Sequence, residues 1–323
     1  MTLRELRGKY SILTSGYFVK PQKLYHYTSP EGLKGILTNR SLFFTDSQFL
    51  NDKNECRDIY CFLKMAIKEV GAAKNQELFS AIKEFALDAE KTPEYLGSEI
   101  QNTSIFRFFV ASFCLDSDNL SMWNYYTKTP NSYGYNICFD WHMLQRAIWD
   151  NELLRELSPV NNYGDGGFEV PYFNMYGSVI YDDEAKIKIL TELIHDILNC
   201  EEETIFPQNP MEIFEKLIRG LGLFFKNKAF TNEKEYRFVI VSRNKELCDY
   251  EQKHPDSDLY DYRLMNGILL PYVNAPILCP GSVEKVVVSP GVQQEIAIQG
   301  LEYFMFHNGY CPRVEKSDIP LRY

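Results

Sequence analysis

The sequence contains none of the short motifs that mark the common nucleotide and metal enzymes. Its five histidines, at positions 26, 142, 195, 254 and 307, form no HxxxH or HExxH pair, and its eight cysteines form no CxxC pair. It also lacks a G-x-x-x-x-G-K-[ST] phosphate loop and a G-x-S-x-G nucleophile elbow. We therefore expect neither a P-loop nucleotide site nor a serine-hydrolase triad. A metal site is expected only if ligands come from distant segments.

Long apolar runs and positive charge are also scarce. No segment approaches the roughly 18 consecutive apolar residues of a membrane span, and MTLRELRGKYSILTSGYF at the start has no apolar signal-peptide core. The 44 acidic residues outnumber the 34 basic ones, giving a net charge of -10 that argues against broad non-specific nucleic-acid binding. We therefore expect a cytoplasmic protein without a membrane partner, whose thiols are reduced and mostly buried.

Aromatic residues, in contrast, are abundant. The chain has 22 Phe, 22 Tyr and 3 Trp, 15% of its 323 residues. Such residues either fill a core or form walls around a flat ligand. Apparent strands and helices mix without regular βαβ alternation, which favours an α+β fold. We predict a lead-in over 1–22 and a single domain over 23–323, with a helical insertion near 52–91.

Local patterns predict most elements of this domain. Alternation over 23–28 predicts a strand, and Ser29 followed by proline predicts the capped start of a helix. Further strands are predicted at 41–45, 108–115, 133–139, 176–182, 233–242, 262–272, 283–290 and 301–306. Further helices are predicted from 51–55 onward and at 76–90, 117–126, 141–154, 184–199 and 210–225. GDGG at 164–167 is either a phosphate cradle or, as we expect, a surface turn.

The strand at 233–242 carries three charges although it becomes apolar on both faces. Strand alternation places Glu233, Glu235 and Arg237 on one face. Because an unpaired buried carboxylate costs several kcal/mol, such groups are paired or functional. One interpretation is a structural Glu–Arg pair at the edge of a sheet. The other is a carboxylate at the floor of a cleft, with Arg237 or a ligand hydroxyl as its partner.

Three other positions allow both a structural and a functional interpretation. His26 is a satisfied core or edge histidine, or a neutral imidazole that donates to a ribose hydroxyl. Trp123 and Tyr126 fill a core, or sandwich a planar heterocycle. Ser112 sits in an apolar strand, where its hydroxyl bonds the backbone or a ligand.

Five segments, taken in order, resemble a known family. They are LYHYTSPEGLKGIL, FFTDSQFLNDKNE, SFCLDSDNLSMWNYY, NEKEYRFVIV and VEKSDIPLR. Together they resemble a widespread bacterial family of domains of unknown function that is grouped with the ADP-ribosyltransferase-like superfamily. The resemblance spans about residues 23 to 322. It implies an ADP-ribosyltransferase-like split β-sandwich with helical insertions, in which two small sheets clasp NAD.

The resemblance also implies the first two parts of an NAD site. His26 matches the early-strand position that binds a ribose hydroxyl of the adenosine half of NAD. Tyr27 and Thr28, which follow it, are further expected NAD-binding positions. Ser112, Trp123 and Tyr126 are the candidates for the middle position. Tyr126, or else Trp123, would stack on the nicotinamide.

Glu235 matches the third part, a glutamate on a late strand. This implied catalytic residue would bind the 2′-hydroxyl of the nicotinamide ribose and stabilise the positive charge that develops as the glycosidic bond breaks. Glu233, about 6.6 Å away on an ideal strand, resembles the first residue of the E-x-E pair that orients an acceptor. Arg237, beside Glu235, is a further expected NAD-binding position. The middle segment reads S-F-C and lacks the S-T-S run of arginine-directed members, so the acceptor does not carry over.

The expected function is therefore that of a NAD-dependent ADP-ribosyltransferase, with NAD as its substrate. The acceptor would be a macromolecule, protein or nucleic acid, as for bacterial toxins and phage-defence effectors, and an antitoxin or other regulatory partner would fit that role. Two alternatives stay open. One is a NAD glycohydrolase that uses water as acceptor. The other is a catalytically inactive module that binds a nucleotide or a protein, with Glu235 permanently paired to Arg237.

Overall fold

A computed structural model describes residues 3–10, 21–50, 57–71, 75–91, 106–126, 134–158, 160–161, 170–171, 175–200, 209–265, 267–291, 294–311 and 313–320. The helices are α1 (Leu3–Tyr10), α2 (Pro30–Asn39), α3 (Asp58–Val70), α4 (Gln76–Lys91), α5 (Leu120–Tyr126), α6 (Trp141–Asp150), α7 (Glu152–Glu156), α8 (Asp183–Leu198), α9 (Pro210–Gly222), α10 (Asn244–Lys253) and α11 (Gln294–His307). Short 3-10 helices cover Ser47–Phe49, Lys228–Glu233 and Pro280–Ser282. None of the helices in these ranges is both long and apolar enough to cross a membrane.

The strands are β1 (Lys23–Thr28), β2 (Leu42–Asp46), β3 (Phe106–Cys114), β4 (Tyr135–Asp140), β5 (Val160–Asn161), β6 (Val170–Pro171), β7 (Met175–Ser178), β8 (Glu235–Arg243), β9 (Tyr260–Met265), β10 (Ile268–Ala275), β11 (Val283–Val288) and β12 (Arg313–Lys316). With the helices they form a mixed architecture built on a large, mainly antiparallel sheet. This confirms the predicted α+β class.

The chain divides into two compact units. The helical unit comprises Met1–Val19, Ser47–Ile105 and Met175–Thr231, and the sheet unit comprises Lys20–Asp46, Phe106–Asn174 and Asn232–Tyr323. The predicted helices at 76–90, 184–199 and 210–225 are confirmed as α4, α8 and α9 of the helical unit. Their apolar faces join α1 and α3 in a shared core. The predicted helix start at 51–55 and the GDGG turn lie outside the described residues.

Strand β3 organises the sheet unit. One edge of β3 pairs with β8 over its whole length, from Phe106 opposite Arg243 to Cys114 opposite Glu235. Its other edge pairs with β2 at Val110 and with β1 at Cys114. In these registers neither β1 nor β2 pairs with residues 111–113, and we call this interval the split. Two arms leave the split, β1-β4-β11-β12 and β2-β10-β9.

The local sequence explains how the first arm begins. Ser29 accepts a hydrogen bond from the Gly32 N–H at 3.2 Å, and Pro30 occupies the first turn of α2. This confirms the predicted junction between strand and capped helix. The helix therefore starts directly after β1, which fixes where β1 leaves the sheet.

Two expectations about the elements are wrong, and two helices were not expected. Residues 301–306 are helical and lie within α11, with Leu301 and Met305 buried one turn apart. The strand expected over 262–272 is a hairpin of β9 and β10 that turns at Gly267, whose φ is +79°. Helices α1 and α10 were not predicted.

The described cysteines also differ from expectation. All seven are free thiols, but only Cys114 and Cys138 are buried, and four are exposed. Burial raises the pKa of Cys114 to about 12 and that of Cys138 to about 11. Both buried thiols are therefore protonated and unreactive at neutral pH, whereas the expectation of mostly buried cysteines is wrong.

Candidate functional site

Three adjacent strands bring most of the candidate residues together. Strand β3 lies between β1 and β8, and its Ser112 stands directly opposite Arg237 of β8. Glu235 stands opposite Cys114, whose partner on β1 is Tyr25. His26 follows Tyr25 and reaches the backbone of Ser112 across the split. We call His26, Ser112, Glu235 and Arg237 the three-strand site.

Glu235 and Arg237 form a buried, bidentate ion pair. The Arg237 Nε donates to Glu235 Oε1 at 2.8 Å, and Nη2 donates to Oε2 at 2.9 Å. The two residues are only 5% and 1% exposed. Since they are two apart on one strand, both side chains project from the same face. Two parallel hydrogen bonds fix the plane of the carboxylate, and the opposite charges offset the cost of removing each from water.

His26 is held in one tautomer by the split. Its Nδ1 lies 3.1 Å from the carbonyl oxygen of Ser112. Because a carbonyl only accepts hydrogen bonds, Nδ1 must carry the proton. Burial and the positive charge of Arg263 lower the pKa of His26, although the Ser112 carbonyl acts in the opposite direction. The ring is therefore neutral at pH 7, with Nε2 as an acceptor.

This geometry changes the hydrogen-bonding role expected for His26. We had expected the imidazole to donate to a ribose hydroxyl. Its N–H is already used by Ser112, and within the described part of the chain Nε2 contacts no hydrogen-bonding group. A ligand hydroxyl would therefore donate to Nε2.

Ser112 is half-buried in the same place. Its carbonyl orients His26, and its hydroxyl makes no hydrogen bond to any residue that the structure describes. The expected bond from the hydroxyl back to the main chain is thus absent. The hydroxyl remains available to a ligand.

Tyr27 and Trp123 lie instead in a small core. Tyr27 is 2% exposed, and its hydroxyl donates to the Asp116 carbonyl and accepts from the Asn119 N–H, both at 2.9 Å. Trp123 is 1% exposed, packs edge-on against Tyr27 at 4.7 Å, and donates from Nε1 to Asp118 Oδ1 at 2.6 Å. Its faces are therefore covered by protein, as the structural interpretation of Trp123 requires.

The remaining candidates are placed differently. Thr28 is buried beneath the start of α2, with its Oγ1 against Gly32. Tyr126 belongs to the backbone of α5, but its side chain lies outside the described residues. The assignment of the stacking position to Tyr126 therefore stays a prediction.

Glu233 is not part of β8, so the predicted shared strand face is wrong. It ends the 3-10 helix Lys228–Glu233, and Lys234 then adopts a φ of +44° before the strand begins at Glu235. This left-handed residue breaks the strand alternation. Lys234 is held there by Asp116, at 3.0 Å from its Nζ, and by the Leu115 N–H, which donates to its carbonyl.

Two further polar groups near the site had no signal in the sequence. Asp118 accepts from Ser317 Oγ at 2.7 Å and from the Asp318 N–H at 3.0 Å, which ties the segment after β12 to Trp123. Asn136 is fully buried, and its Oδ1 meets no donor among the described residues although its Nδ2 donates to the Ser117 carbonyl. Both contacts join residues from different segments of the chain, so local sequence patterns do not predict them.

A charged cavity lies beside the three-strand site, along β1, β11 and β12. Its volume is about 420 Å³, and its lining includes Tyr25 but neither His26 nor Glu235. Lys23 pairs there with Glu284, and Lys285 pairs with Glu315 at 2.8 Å. No three His, Cys, Asp or Glu residues in the described ranges are placed to hold a metal ion.

Comparison with known proteins gives one match. Residues 122–238 match the model of a family described as "Protein of unknown function (DUF2971)". This segment runs from α5 to β8, so it includes Glu235 and Arg237, whereas His26 and Ser112 precede it. No curated protein and no solved structure matches the chain. Over this segment the chain is similar to a family of unknown function, as the resemblance noted above implies.

Proposed function

We propose that the protein is a NAD-dependent ADP-ribosyltransferase that acts at the three-strand site. One observation carries this proposal. His26, Ser112 and Glu235 are far apart in the sequence, yet they lie on three adjacent strands beside the split in the sheet. They are also residues for which the superfamily resemblance implies NAD-binding or catalytic roles. The resemblance implies two small sheets that clasp NAD, and the split between the two arms of this sheet supports that proposal.

The proposed reaction breaks the bond between the ribose C1′ of NAD and the nicotinamide nitrogen. The electron pair of that bond leaves with nicotinamide, and positive charge develops over C1′ and the ring oxygen. A carboxylate at the 2′-hydroxyl stabilises this charge more than it stabilises bound NAD, which lowers the barrier. The acceptor then bonds to C1′ and loses a proton. Glu235 is the carboxylate of this proposal.

Arg237 gives Glu235 the rigidity that this role needs. The bidentate pair engages both oxygens of the carboxylate and holds its plane fixed. A carboxylate oriented in advance does not have to reorganise when charge develops. Arg237 is therefore a positioning residue in this proposal.

His26 and Ser112 would bind the ribose hydroxyls of NAD. The Ser112 side chain shares a face of the sheet with Glu235 and Arg237, whereas His26, next to Tyr25 on β1, projects from the other face, where its ring contacts Phe113. The neutral His26 ring accepts a hydroxyl proton at Nε2, and the Ser112 hydroxyl can donate or accept. In this proposal NAD reaches both groups through the split, where neither β1 nor β2 pairs with β3. We assign no acceptor, because Glu233 does not share the strand face of Glu235. If water is the acceptor, the same residues perform the glycohydrolase reaction.

The Glu235–Arg237 geometry also favours a second candidate. A bidentate pair that is almost fully buried is typical of a structural ion pair, and NAD reaches Glu235 only if neighbouring groups move. The protein would then be an inactive member of its superfamily that binds a nucleotide or a protein partner.

Nicotinamide release from NAD, with and without cell lysate, separates these functions. We expect release by the wild-type chain and at least a hundredfold less by Glu235→Gln, with NAD binding retained. Glu246→Gln is the matched control, because Glu246 also pairs with an arginine, Arg243, but on α10. Melting curves for both variants exclude unfolding as the cause.

Each outcome assigns one function. Release that depends on both lysate and Glu235 supports transfer to a macromolecule. Release without lysate supports the glycohydrolase reaction. Near-normal release by Glu235→Gln would refute the proposed mechanism, and NAD binding without release would favour the inactive module.

A further inference from the structure

The hairpin of β9 and β10 exposes a large apolar surface. Its exposed residues are Leu264 (73%), Leu269 (62%), Ile268 (56%), Tyr262 (51%) and Met265 (45%). Scattered apolar residues are normal on protein surfaces, but a contiguous group of this kind marks a contact site. Leu264 stands opposite Leu269 and Met265 opposite Ile268. Strand alternation places Tyr262, Leu264 and Leu269 on one face of the hairpin and Met265 and Ile268 on the other, so each face has its own group.

Strand β9 is also the last strand of its arm, so no described strand pairs with its outer edge. The Asn274 N–H donates to the Leu259 carbonyl at 2.7 Å, which shows that Leu259 faces inward along this hairpin. Because hydrogen bonding alternates along a strand, Asp261, Arg263 and Met265 also bond toward β10. The backbone groups of Tyr260, Tyr262 and Leu264 therefore point to the open edge, where the Tyr262 N–H donates to the adjacent Asp261 side chain at 2.7 Å.

We propose that this edge is a dimer interface, in which β9 pairs in antiparallel fashion with β9 of a second copy of this chain. An edge strand with exposed apolar side chains readily pairs with another strand. A two-fold axis makes such pairing closed and self-complementary, because each residue meets its partner in both directions.

The charges of β9 select one register. Three registers align the outward backbone groups and pair most of the strand, and they are centred on Asp261, Tyr262 or Arg263. Centring on Asp261 places two aspartates opposite each other, and centring on Arg263 places two arginines opposite each other. Like charges in direct opposition destabilise a sheet. Centring on Tyr262 instead places Asp261 opposite Arg263 of the second copy, twice.

The same register also suits the apolar residues. It places Leu264 opposite Tyr260 of the second copy and Tyr262 opposite its own equivalent. The Asp261–Arg263 positions become non-hydrogen-bonded pairs, in which side chains approach most closely. Within each copy Arg263 Nη2 bonds Thr45 Oγ1 on β2 at 2.8 Å, so the guanidinium reaches across β10 and must turn outward to pair with Asp261 of the second copy. Charge and apolar surface thus favour a second copy as the occupant.

A charge exchange tests this interface in the full chain. Sedimentation velocity over a range of concentrations should show a monomer–dimer equilibrium for the wild type. Asp261→Arg or Arg263→Asp should each raise the dimer Kd about tenfold, since each converts two attractive pairs into two repulsive ones. The double variant Asp261→Arg/Arg263→Asp restores opposite charges and should return the Kd to within about threefold of the wild-type value.

Two more variants serve as controls, one for the fold and one for the change of charge. Leu264→Lys changes the most exposed apolar residue of the hairpin and should give a monomer with an unchanged melting curve. Asp256→Arg reverses an exposed charge outside β9 and should leave the Kd unchanged. A wild-type chain that stays monomeric at every concentration, which would leave the edge to another protein, overturns the proposal. A double variant that dimerises no better than the single variants, while still folded, also overturns it.

Discussion

His26 is the residue whose surroundings predict a specific pH dependence of the free energy of unfolding. In the folded chain burial and Arg263 lower its pKa, and the Ser112 carbonyl fixes its proton on Nδ1. In the unfolded chain its pKa returns to about 6.5. The unfolded state therefore binds a proton before the folded state does as the pH falls.

This difference predicts lower stability in acid. Between about pH 6.5 and the lower pKa of the folded state, His26 should cost up to about 1.4 kcal/mol of unfolding free energy per pH unit as the pH falls. Urea denaturation from about pH 7.5 to 5.5 measures this slope. His26→Gln should flatten the slope relative to the wild type. An equal slope in His26→Gln and the wild type would contradict the assigned environment.

The pairing of Glu235 with Arg237 could be predicted from the sequence, but the burial of Trp123 in a core could not. Two opposite charges two residues apart on a strand share a face by geometry alone. Whether Trp123 is a core residue depends on Tyr27 and Asp118, which reach it from β1 and from the segment after β3. Such contacts depend on the sheet topology, which no local pattern contains.

At the scale of the element, helix α2 contains two glycines with opposite surroundings. A Cβ added to Gly32 would lie 2.1 Å from Thr28 Oγ1, whereas a Cβ added to Gly35 would meet no atom within 4 Å. Replacing glycine by alanine inside a helix stabilises it by up to about 1 kcal/mol where space allows. Thr28 is buried, so its side chain has little room to move.

We therefore expect the two alanine substitutions to differ in sign. Gly35→Ala should raise the free energy of unfolding by up to about 1 kcal/mol. Gly32→Ala should lower it by about 1–3 kcal/mol, because the new methyl group overpacks against Thr28. Urea denaturation of both variants measures the difference, and Thr28→Ala in the Gly32→Ala background should recover part of the loss. Equal stabilisation by both substitutions would show that Thr28 moves at no cost.

Helices and strands with a strong local sequence signal could be predicted. Segments whose pattern of apolar residues fits both a helix and a strand could not. The capped start of α2 and the apolar strand β3 are encoded within a few residues. The segment 301–306 is apolar except for Glu302, so its sequence does not distinguish a strand from a helix. In the structure Leu301 and Met305 face the protein while Phe306 is 79% exposed, a helical arrangement.

At the scale of the whole molecule, the split in the sheet was the feature least accessible to sequence reasoning. It arises because β1 and β2 share one edge of β3, although about 80 residues separate β1 from β3 and about 60 separate β2 from it. The resemblance implied a split sandwich, but only the strand registers locate the split beside Ser112. Long-range pairing is set by the complete set of strands and helices that compete for each edge.

Amide hydrogen exchange connects this topology to the proposed dimer. The amides of β3 and β8 should exchange most slowly in the sheet unit, because the two strands pair over nine residues and are largely buried. The outward N–H of Leu264 on β9 has an open edge in a single copy and becomes bonded only when the second copy pairs. Its protection should therefore rise with protein concentration, whereas that of β3 and β8 should not. Leu264 exchange that is independent of concentration, in a sample that sediments as a dimer, would place the interface elsewhere on the molecule.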